Sequence, residues 1–269
     1  MRYRIEKIVE KVPIINNEIS MLDAIKVFTE KHIPILVLKD TYITIDRILE
    51  MLLHHRENLC DVLLNDVSLY GVKLNAFMKR TSFINIIMKV STLSGKYAIV
   101  KSDKASILGA ITPRSLFSYF KKYLTLNDMR YFLYRNIGNR ITPNTSITGA
   151  IKRMLRNKSI FSAVLFRGKF KGVISSYDIL SLILEKDTLE KIMEEKYGYY
   201  YETSVSYLDY SYDSVIDSKM INTSRLRSIL SKYSNVAVVN NESLEYFIDD
   251  YKLTEYTKKK LVFRWYDRL

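Results

Sequence analysis

The sequence predicts an α/β protein built from four consecutive repeats, each in the order strand, helix, strand, strand, helix. One observation is internal repetition: the triplet Ala24-Ile25-Lys26 returns as Ala150-Ile151-Lys152, and the order of elements around it returns as well. A second is that short apolar runs of strand length alternate with longer segments of helical periodicity. The third is composition, because 48% hydrophobic residues with only 8 Gly and 4 Pro among 269 residues indicate a chain that folds throughout.

Apolar runs of strand length predict buried strands, and apolar residues at helical spacing predict the helices between them. The first repeat, residues 1–61, has its elements at Ile14 to Ile19, a helix through Phe28, strands Pro34 to Leu38 and Tyr42 to Thr44, and a helix Ile48 to Leu53. The second repeat, residues 62–125, has a helix Ile84 to Val90, strands Tyr97 to Val100 and Ile107 to Ile111, and a helix Leu116 to Tyr123.

The second half of the chain follows the same order. The third repeat, residues 126–188, has its elements at Ile141 to Pro143, a helix Ile147 to Leu155, strands Ala163 to Phe166 and Lys171 to Ile174, and a helix from Tyr177 to Leu184. The fourth repeat, residues 189–269, is degenerate and has a helix Arg225 to Tyr233 with strands Val236 to Val239 and Leu244 to Ile248. A Tyr-rich stretch from Tyr197 to Tyr212 precedes these elements. It is interpreted either as a connector packed over the sheet, which we favour, or as a partner surface of rigid aromatic rings.

The run from Gly172 to Asp178 joins the last strand of the third repeat to its closing helix and gives the strongest indication of function. Ser175 would lie at the positive end of that helix, where free backbone N–H groups favour a phosphate. Asp178, three residues later, could accept two hydrogen bonds from a ribose diol. The same Ser-x-x-Asp pattern also resembles a capping box, which would satisfy the first N–H groups of the helix without any ligand.

Four repeats of this order resemble the CBS domain, which is named after cystathionine β-synthase. The nucleotide signature of that family is Gly, two apolar residues, Thr or Ser, two variable residues and Asp, and residues 172–178 match it completely. The second repeat, from Gly109, has Ser115 in place of the aspartate, while the first keeps Thr44 but has Arg47 at the carboxylate position. The fourth repeat has only the weak match of residues 247–252.

CBS domains normally work in pairs called Bateman modules, so the resemblance implies two modules in this chain. It also implies a regulatory protein and not an enzyme, with no cofactor and with AMP, ADP, ATP or S-adenosylmethionine as the regulatory ligand. Since no effector domain is recognisable in the sequence, the regulated activity would belong to a partner protein; a homodimer is a further assembly to be considered.

By the same resemblance, the third repeat is expected to carry the stronger site. Its expected ligand-binding residues are Thr142, Ser162, Gly172, Ser175 and Asp178. Asp178 would hold the ribose and Ser175 the phosphate end of the nucleotide. Thr142 and Ser162, where the first two strands of the repeat border the cleft, would position the base.

The second repeat contributes two further expected ligand-binding residues, Thr112 and Arg114. Arg114 follows the hydroxyl residue at the start of a helix and is suitably placed to meet a phosphate. Ser115 weakens the expected ribose binding in this repeat, because a hydroxyl cannot accept a diol as a carboxylate does.

Charge is the second strong signal. The chain has 42 Lys and Arg against 29 Asp and Glu, a net charge of +13, which predicts a surface field that attracts polyanions. The basic residues beside the third signature are Lys152, Arg153, Arg156, Lys158, Arg167, Lys169 and Lys171. A second basic cluster, interleaved with aromatic rings, comprises Lys258, Lys259, Lys260, Phe263, Arg264, Trp265, Tyr266 and Arg268. Three alternatives to nucleotide sensing are weighed: nucleic-acid binding on degenerate repeats, a solvated basic face, and a structural interaction module without a ligand.

Other function classes find little support in the sequence. The three histidines, His32, His54 and His55, are not spaced as metal ligands, so no metal site is expected. No phosphate-binding loop and no nucleophile elbow occurs. A single cysteine, Cys60, cannot form an internal disulfide, and no apolar run approaches the roughly 18 residues of a membrane span. We therefore expect a cytoplasmic protein without a membrane partner.

Overall fold

The computed structural model of the protein describes residues 5–16, 18–90, 97–104, 106–123, 125, 127 and 139–266. The chain divides into two compact units. Unit 1 contains Met1–Lys11, Asn75–Gly138 and Asp213–Leu269, and unit 2 contains Val12–Leu74 and Asn139–Tyr212. Unit 1 therefore draws on the second and fourth predicted repeats together with the first residues of the chain. Unit 2 draws on the first and third.

The described strands are short, and all but one of them recur in groups of three with the same pairing. Their bounds are β1 Ile14–Ile15, β2 Ile35–Leu38, β3 Thr41–Thr44, β4 Val72–Lys73, β5 Phe77–Met78, β6 Ala98–Lys101, β7 Ile107–Ile111, β8 Arg140–Ile141, β9 Phe161–Phe166, β10 Lys169–Ser175, β11 Val215–Asp217, β12 Val236–Asn240 and β13 Ser243–Ile248. In each group the first strand is parallel to the second, and the second is antiparallel to the third. This pairing is seen in all four predicted repeats, including the fourth.

The helices follow the strands in the predicted order. Their bounds are α1 Met21–Lys31, α2 Ile45–His54, α3 Leu59–Leu64, α4 Phe83–Val90, α5 Pro113–Phe120, α6 Ile147–Arg156, α7 Ser176–Leu184, α8 Lys186–Met193, α9 Gly198–Tyr201, α10 Thr223–Tyr233 and α11 Asp250–Tyr266. The helices α3, α8 and α9 are absent from the sequence prediction, and α11 covers most of the second basic cluster. None of the helices in the described ranges is both long enough and apolar enough to cross a bilayer.

Hydroxyl side chains fix where the helices of the repeats begin. Thr44 ends β3 and accepts a hydrogen bond from the Arg47 N–H, so α2 starts at Ile45, three residues before the predicted start. Thr112 and Ser175 play the same part at the end of β7 and β10. The last strand of a repeat therefore runs directly into its closing helix, and the N-cap residue lies at the junction.

In unit 1 the helix α5 lies at the centre of the apolar core. Phe117 of α5 is fully buried and packs in one cluster with side chains from β11 to β13 and from the helices α10 and α11. Its neighbours there are Ile216, Leu226, Leu230, Val236, Val238, Ile248, Leu253 and Tyr256. On the other side Phe120 stacks on Phe83 of α4, with ring centroids 5.4 Å apart. This packing fixes the position of the Thr112 turn at the start of α5.

In unit 2 the helices of the two repeats pack against each other, α1 with α7 and α2 with α6. The contact faces are apolar and buried, with Ile25 and Phe28 on α1 and Ile179 and Ile183 on α7. Ile25 belongs to the repeated triplet that marks the equivalent helices α1 and α6. The residues that repeat in the sequence therefore include residues of the apolar core.

The Tyr-rich stretch forms a connector that packs against the third repeat. Tyr200 and Tyr201 are fully buried, and their hydroxyls donate to the carbonyls of Ile179 and Leu52, at 3.3 and 2.5 Å. Further along, Ser211 pairs with Val173 in an isolated antiparallel bridge. The connector is therefore held against β10 and α7, the elements that flank the signature turn.

The predicted interleaving of aromatic and basic side chains at the end of the chain is not tested. The side chains of residues 261–266 and the whole of residues 267–269 lie outside the described part of the chain. Residue 126, at the predicted boundary between the second and third repeats, lies outside it as well. The four repeat boundaries stay predictions.

Substitution of Gly172 by alanine should destabilise the protein, because Gly172 has φ +126° and a Cβ atom there would lie 2.6 Å from the Cβ of Tyr210. The matched control is Gly168→Ala in the hairpin between β9 and β10, where φ is +78° but no atom lies within 4 Å of the added Cβ. Both variants incur backbone strain of about 1–3 kcal/mol, and only Gly172→Ala adds the clash. Urea unfolding followed by circular dichroism measures both, and equal losses would contradict the close approach.

Candidate functional site

The turn between β10 and α7 has the geometry of a capping box. The Ser175 N–H and the Ser175 hydroxyl both donate to Asp178 Oδ2, at 2.6 and 2.7 Å. In return, the Asp178 N–H donates to Ser175 Oγ at 3.4 Å. The capping interpretation of the Ser-x-x-Asp pattern is thus fulfilled in this structure.

Capping leaves part of the Asp178 carboxylate for a ligand. Both bonds from Ser175 go to Oδ2, and Oδ1 receives no hydrogen bond from any residue in the described ranges. A carboxylate oxygen has two acceptor positions, which are sufficient for the two hydroxyls of a ribose. Since the cap also orients the side chain, capping and ligand binding are compatible roles for Asp178.

The electrostatic setting of Asp178 favours its protonated form. Burial raises the pKa of the Asp178 carboxyl above its ordinary 3.8, and the nearby Asp209 carboxylate raises it further. The hydrogen bonds from Ser175 and the charge of His32 act in the opposite direction but do not cancel the effect of burial. A hydroxyl donor from a ligand would stabilise the ionised carboxylate that the site otherwise disfavours.

A second backbone segment closes over the start of this turn. Val173 exchanges both backbone hydrogen bonds with Ser211, at 3.0 and 2.9 Å, and Gly172 lacks the Cβ that would strike Tyr210. The Tyr210 hydroxyl is buried and has no hydrogen-bond partner among the described residues. Buried polar groups without partners are rare in native proteins, so this hydroxyl is a candidate contact for a ligand or a water.

The two other residues predicted for this site differ in their surroundings. Ser162 is fully buried, and its hydroxyl accepts a hydrogen bond from the Asn139 amide at 2.5 Å within the sheet. Thr142 follows β8 and is exposed, with its hydroxyl 3.2 Å from that of Thr145. Thr142 is therefore open to solvent, whereas Ser162 already has an internal partner. Their ligand contacts stay predictions.

In the second repeat, the predicted residues Thr112 and Arg114 both contact a carboxylate from the first residues of the chain. Glu10 Oε2 accepts from the Thr112 hydroxyl at 2.9 Å and from Arg114 Nε at 3.4 Å. Glu10 Oε1 accepts from Arg114 Nη2 at 2.5 Å. Thr112 and Ser115 form their own capping box. Arg114 is thus paired with an internal anion at the place where a phosphate was expected.

The first and fourth repeats show the same junction with other chemistry. Arg47, at the carboxylate position of the first repeat, pairs with Glu50 at 3.1 Å and donates to the Tyr70 carbonyl at 3.3 Å. In the fourth repeat, Asp249 follows β13 and accepts from the Lys252 N–H at 2.9 Å. Among the described residues, the third repeat alone combines a complete signature with a carboxylate oxygen that receives no hydrogen bond.

Four residues beside these turns were missed by sequence reasoning: His32, Asp209, Tyr210 and Glu10. His32 follows α1 and meets the Tyr177 ring edge to face at 5.2 Å, which places it beside α7. Its position depends on a contact between two repeats, and no local pattern encodes that contact. Asp209 and Tyr210 lie in the connector, whose Tyr-rich composition does not link it to the site.

Comparison with known proteins agrees with this description. Residues 140–185, which include the complete signature, match the family model of the CBS domain. No curated protein matches the chain. A Methanocaldococcus jannaschii protein, solved as a proposed archaeal homolog of g-AMPK, is 14% identical with a TM-score of 0.75 and covers 94% of this chain and 99% of its own. An uncharacterized conserved protein of Pyrococcus horikoshii is 13% identical with a TM-score of 0.53 and covers 95% and 100%.

The alternation of strands and helices and the repeated strand pairing define an α/β protein of tandem repeats, and the family match lies over the third of them. Residues 140–185 belong to a CBS domain by this match, and the fold of the chain is that of tandem CBS repeats in Bateman modules. At 13% and 14% identity, the two solved structures support the fold and leave the ligand to be argued from the site.

The raised pKa of Asp178 predicts a pH dependence of stability. Because the folded protein holds this proton to a higher pH than the unfolded chain, the stability it contributes is present below pH 3.8 and is lost as the pH rises through the folded pKa. The Asp178→Asn variant has no carboxyl to titrate here. As the pH rises from about 4, the unfolding free energy of the wild type should therefore fall relative to that of Asp178→Asn. Urea titrations across this range test it, with the exposed Asp187→Asn as control. A parallel pH dependence of wild type and Asp178→Asn would contradict the prediction.

Proposed function

We propose that this protein is a regulatory adenine-nucleotide sensor whose principal site lies at the turn between β10 and α7. The observation that supports it is the Asp178 carboxylate, which is oriented by Ser175 through Oδ2 and whose Oδ1 receives no hydrogen bond from the described residues. It lies in the part of the chain that matches the CBS family. A nucleotide combines a diol for this carboxylate with a phosphate for the basic surface.

Each part of the nucleotide has a partner in the proposal. Asp178 accepts the ribose hydroxyls, and Ser175 and the first N–H groups of α7 face the phosphate end. The close backbone approach at Gly172 brings the connector, with the buried Tyr210 hydroxyl, to the edge of the site. Thr142, exposed after β8, contacts the base or the sugar, and Ser162 supports it from within the sheet.

The protein's charge suits an anionic ligand. The net charge of +13 raises the local concentration of nucleotides at the surface and speeds their association. The ligand is AMP, ADP, ATP or a related adenine compound such as S-adenosylmethionine, and it acts as a signal and not as a substrate. In this proposal the protein is a cytoplasmic regulator whose bound nucleotide alters a partner.

Substitution of Asp178 by alanine should weaken AMP and ATP binding by roughly ten- to a hundredfold. The reason is the loss of charge-assisted hydrogen bonds to the ribose, which contribute about 1.5–3 kcal/mol. Isothermal titration calorimetry of wild type and variant measures the change. Ser181→Ala is the control, because Ser181 is exposed on the same helix and its hydroxyl bonds only to the Asp178 carbonyl.

The fold of Asp178→Ala is checked by circular dichroism, since Asp178 also caps α7. Loss of the cap should lower stability by about 1 kcal/mol, which leaves the protein folded at room temperature. A folded Asp178→Ala variant with wild-type affinity would assign Asp178 to capping alone and end the proposal for this site.

A second candidate function, polynucleotide binding, is favoured by one specific observation. The basic residues around the hairpin of β9 and β10 and on α6 are exposed: Lys152, Arg156, Lys158, Arg167 and Lys169. Exposed cations on neighbouring elements attract any polyanion, so they do not distinguish a nucleotide from a nucleic acid. Nucleotide sensing is preferred because a polynucleotide has no need of the oriented Asp178 carboxylate.

The triple variant Lys258→Ala, Lys259→Ala, Lys260→Ala separates these two functions without removing α11, whose Leu253 and Tyr256 belong to the core. For a nucleotide sensor we expect RNA and DNA to bind more weakly than about 1 μM at about 0.15 M salt, as nonspecific complexes do, with little change in the variant. Fluorescence anisotropy with labelled oligonucleotides measures this. Submicromolar binding that the triple variant abolishes would make nucleic-acid recognition the leading function.

A further inference from the structure

The second repeat lacks the signature carboxylate in sequence, yet a carboxylate is present at that place in the structure. In the third repeat, Asp178 accepts hydrogen bonds from both the N–H and the hydroxyl of the cap residue Ser175. In the second repeat these two bonds go to different acceptors. The Thr112 N–H donates to Ser115 Oγ at 2.9 Å, and the Thr112 hydroxyl donates to Glu10 Oε2 at 2.9 Å. Ser115 therefore accepts the hydrogen bond from the cap residue's N–H, and Glu10 accepts the hydrogen bond from its hydroxyl. In the third repeat Asp178 accepts both.

Glu10 is held in place by the backbone and not only by its side chain. Its N–H and carbonyl both pair with Ala110, at 2.9 and 3.0 Å, in an isolated antiparallel bridge. Gly109, with φ +143°, makes this approach feasible, since a Cβ atom there would lie 2.2 Å from the Glu10 carbonyl oxygen. The segment that carries Glu10 is thus built into unit 1 next to the end of β7.

The third repeat shows that this position is equivalent to one in the connector. Gly172 and Val173 correspond to Gly109 and Ala110 in the two signatures, and Val173 pairs with Ser211 as Ala110 pairs with Glu10. In the third repeat the helix supplies Asp178 and the paired segment supplies Ser211. In the second repeat the helix supplies Ser115 and the paired segment supplies Glu10. One carboxylate contacts the cap hydroxyl in each case.

A cleft of about 530 Å³ opens beside Glu10, within the size range of small-molecule sites. Its lining includes the cations Lys7, Arg114 and Lys122 and the hydroxyl of Ser118. Cations and hydroxyl donors together suit the phosphate of a ligand. Glu10 Oε1 accepts only one bond from the described residues, so it can also accept a ligand hydroxyl.

We propose that unit 1 contains a second ligand site, in which Glu10 supplies the hydroxyl-binding carboxylate and the cations of the cleft bind the phosphate of a nucleotide. The proposal rests on the proposed function in taking an adenine nucleotide as the ligand. It adds a site in the repeat whose sequence signature is incomplete. Glu10 is a binding residue here, and Arg114, which donates two hydrogen bonds to Glu10, lines the same cleft.

The test uses the full chain with Asp178→Ala, so that binding to unit 1 is measured without the third-repeat site. AMP and 2′,3′-dideoxy-AMP are titrated by calorimetry into this protein and into the same protein with Glu10→Gln. We expect Glu10→Gln to weaken AMP binding roughly tenfold or more and to leave the weaker binding of dideoxy-AMP unchanged, because only AMP has the diol. Unchanged or tighter AMP binding in Glu10→Gln would show that Glu10 is a structural partner or a competitor of the phosphate, and would overturn the proposal.

A second variant guards against a fold defect. Glu10→Ser alone should lose AMP affinity, and Glu10→Ser with Ser115→Asp, which copies the third-repeat arrangement, should recover most of it. The double variant could be folded, as judged by a circular dichroism spectrum that matches the wild type, and still not recover AMP affinity. That result would contradict the proposal that Glu10 replaces the signature aspartate. The two proposals fail separately: loss of binding in Asp178→Ala alone tests the third repeat, whereas the additional effect of Glu10→Gln tests unit 1.

Discussion

The close approach of a second backbone segment to the last strand of a repeat is the constraint on which the candidate sites depend. At Gly109 and Gly172 the approaching segment comes so near that no Cβ atom fits, and an isolated bridge fixes it to the next residue. This approach brings residues that are distant in sequence to the junction between strand and helix. Without it, the cap hydroxyl would face only the first turn of its own helix, and no facing segment would contribute to the site.

The helix cap and the binding group belong to the same side chain in the third repeat. Ser175 orients the Asp178 carboxylate through one oxygen, so the other oxygen is positioned before any ligand arrives. A preoriented acceptor loses less conformational entropy on binding than a freely rotating one. The raised pKa of Asp178 reflects the same burial that shields this group from water. The Asp178 side chain therefore contributes both to the stability of the fold and to the proposed recognition of the ligand. A substitution of Asp178 changes both.

Much of the fold could be predicted from the sequence, because it depends on local patterns. The apolar runs of β2, β3, β9 and β10 and the caps at Ser175 and Thr112 are encoded within a few residues. The site could be predicted only in part. Glu10 contacts Thr112 across about a hundred positions, and His32 reaches Tyr177 by helix packing between repeats. No spacing in the chain signals such contacts. The sequence therefore indicated a missing carboxylate at Ser115 where the structure supplies one from elsewhere.

The chain leaves one compact unit and enters the other after residues 11, 74, 138 and 212, so neither unit is a continuous stretch of polypeptide. A nascent chain that ends near the middle of the sequence contains α1 but not α7, so the apolar surface that α1 buries against α7 is still uncovered. The ends of long loops must then meet before these faces are buried, which slows folding and prolongs exposure of apolar surface. Interleaving the two units thus gives this protein a need for protection during its synthesis that two successive domains would not have.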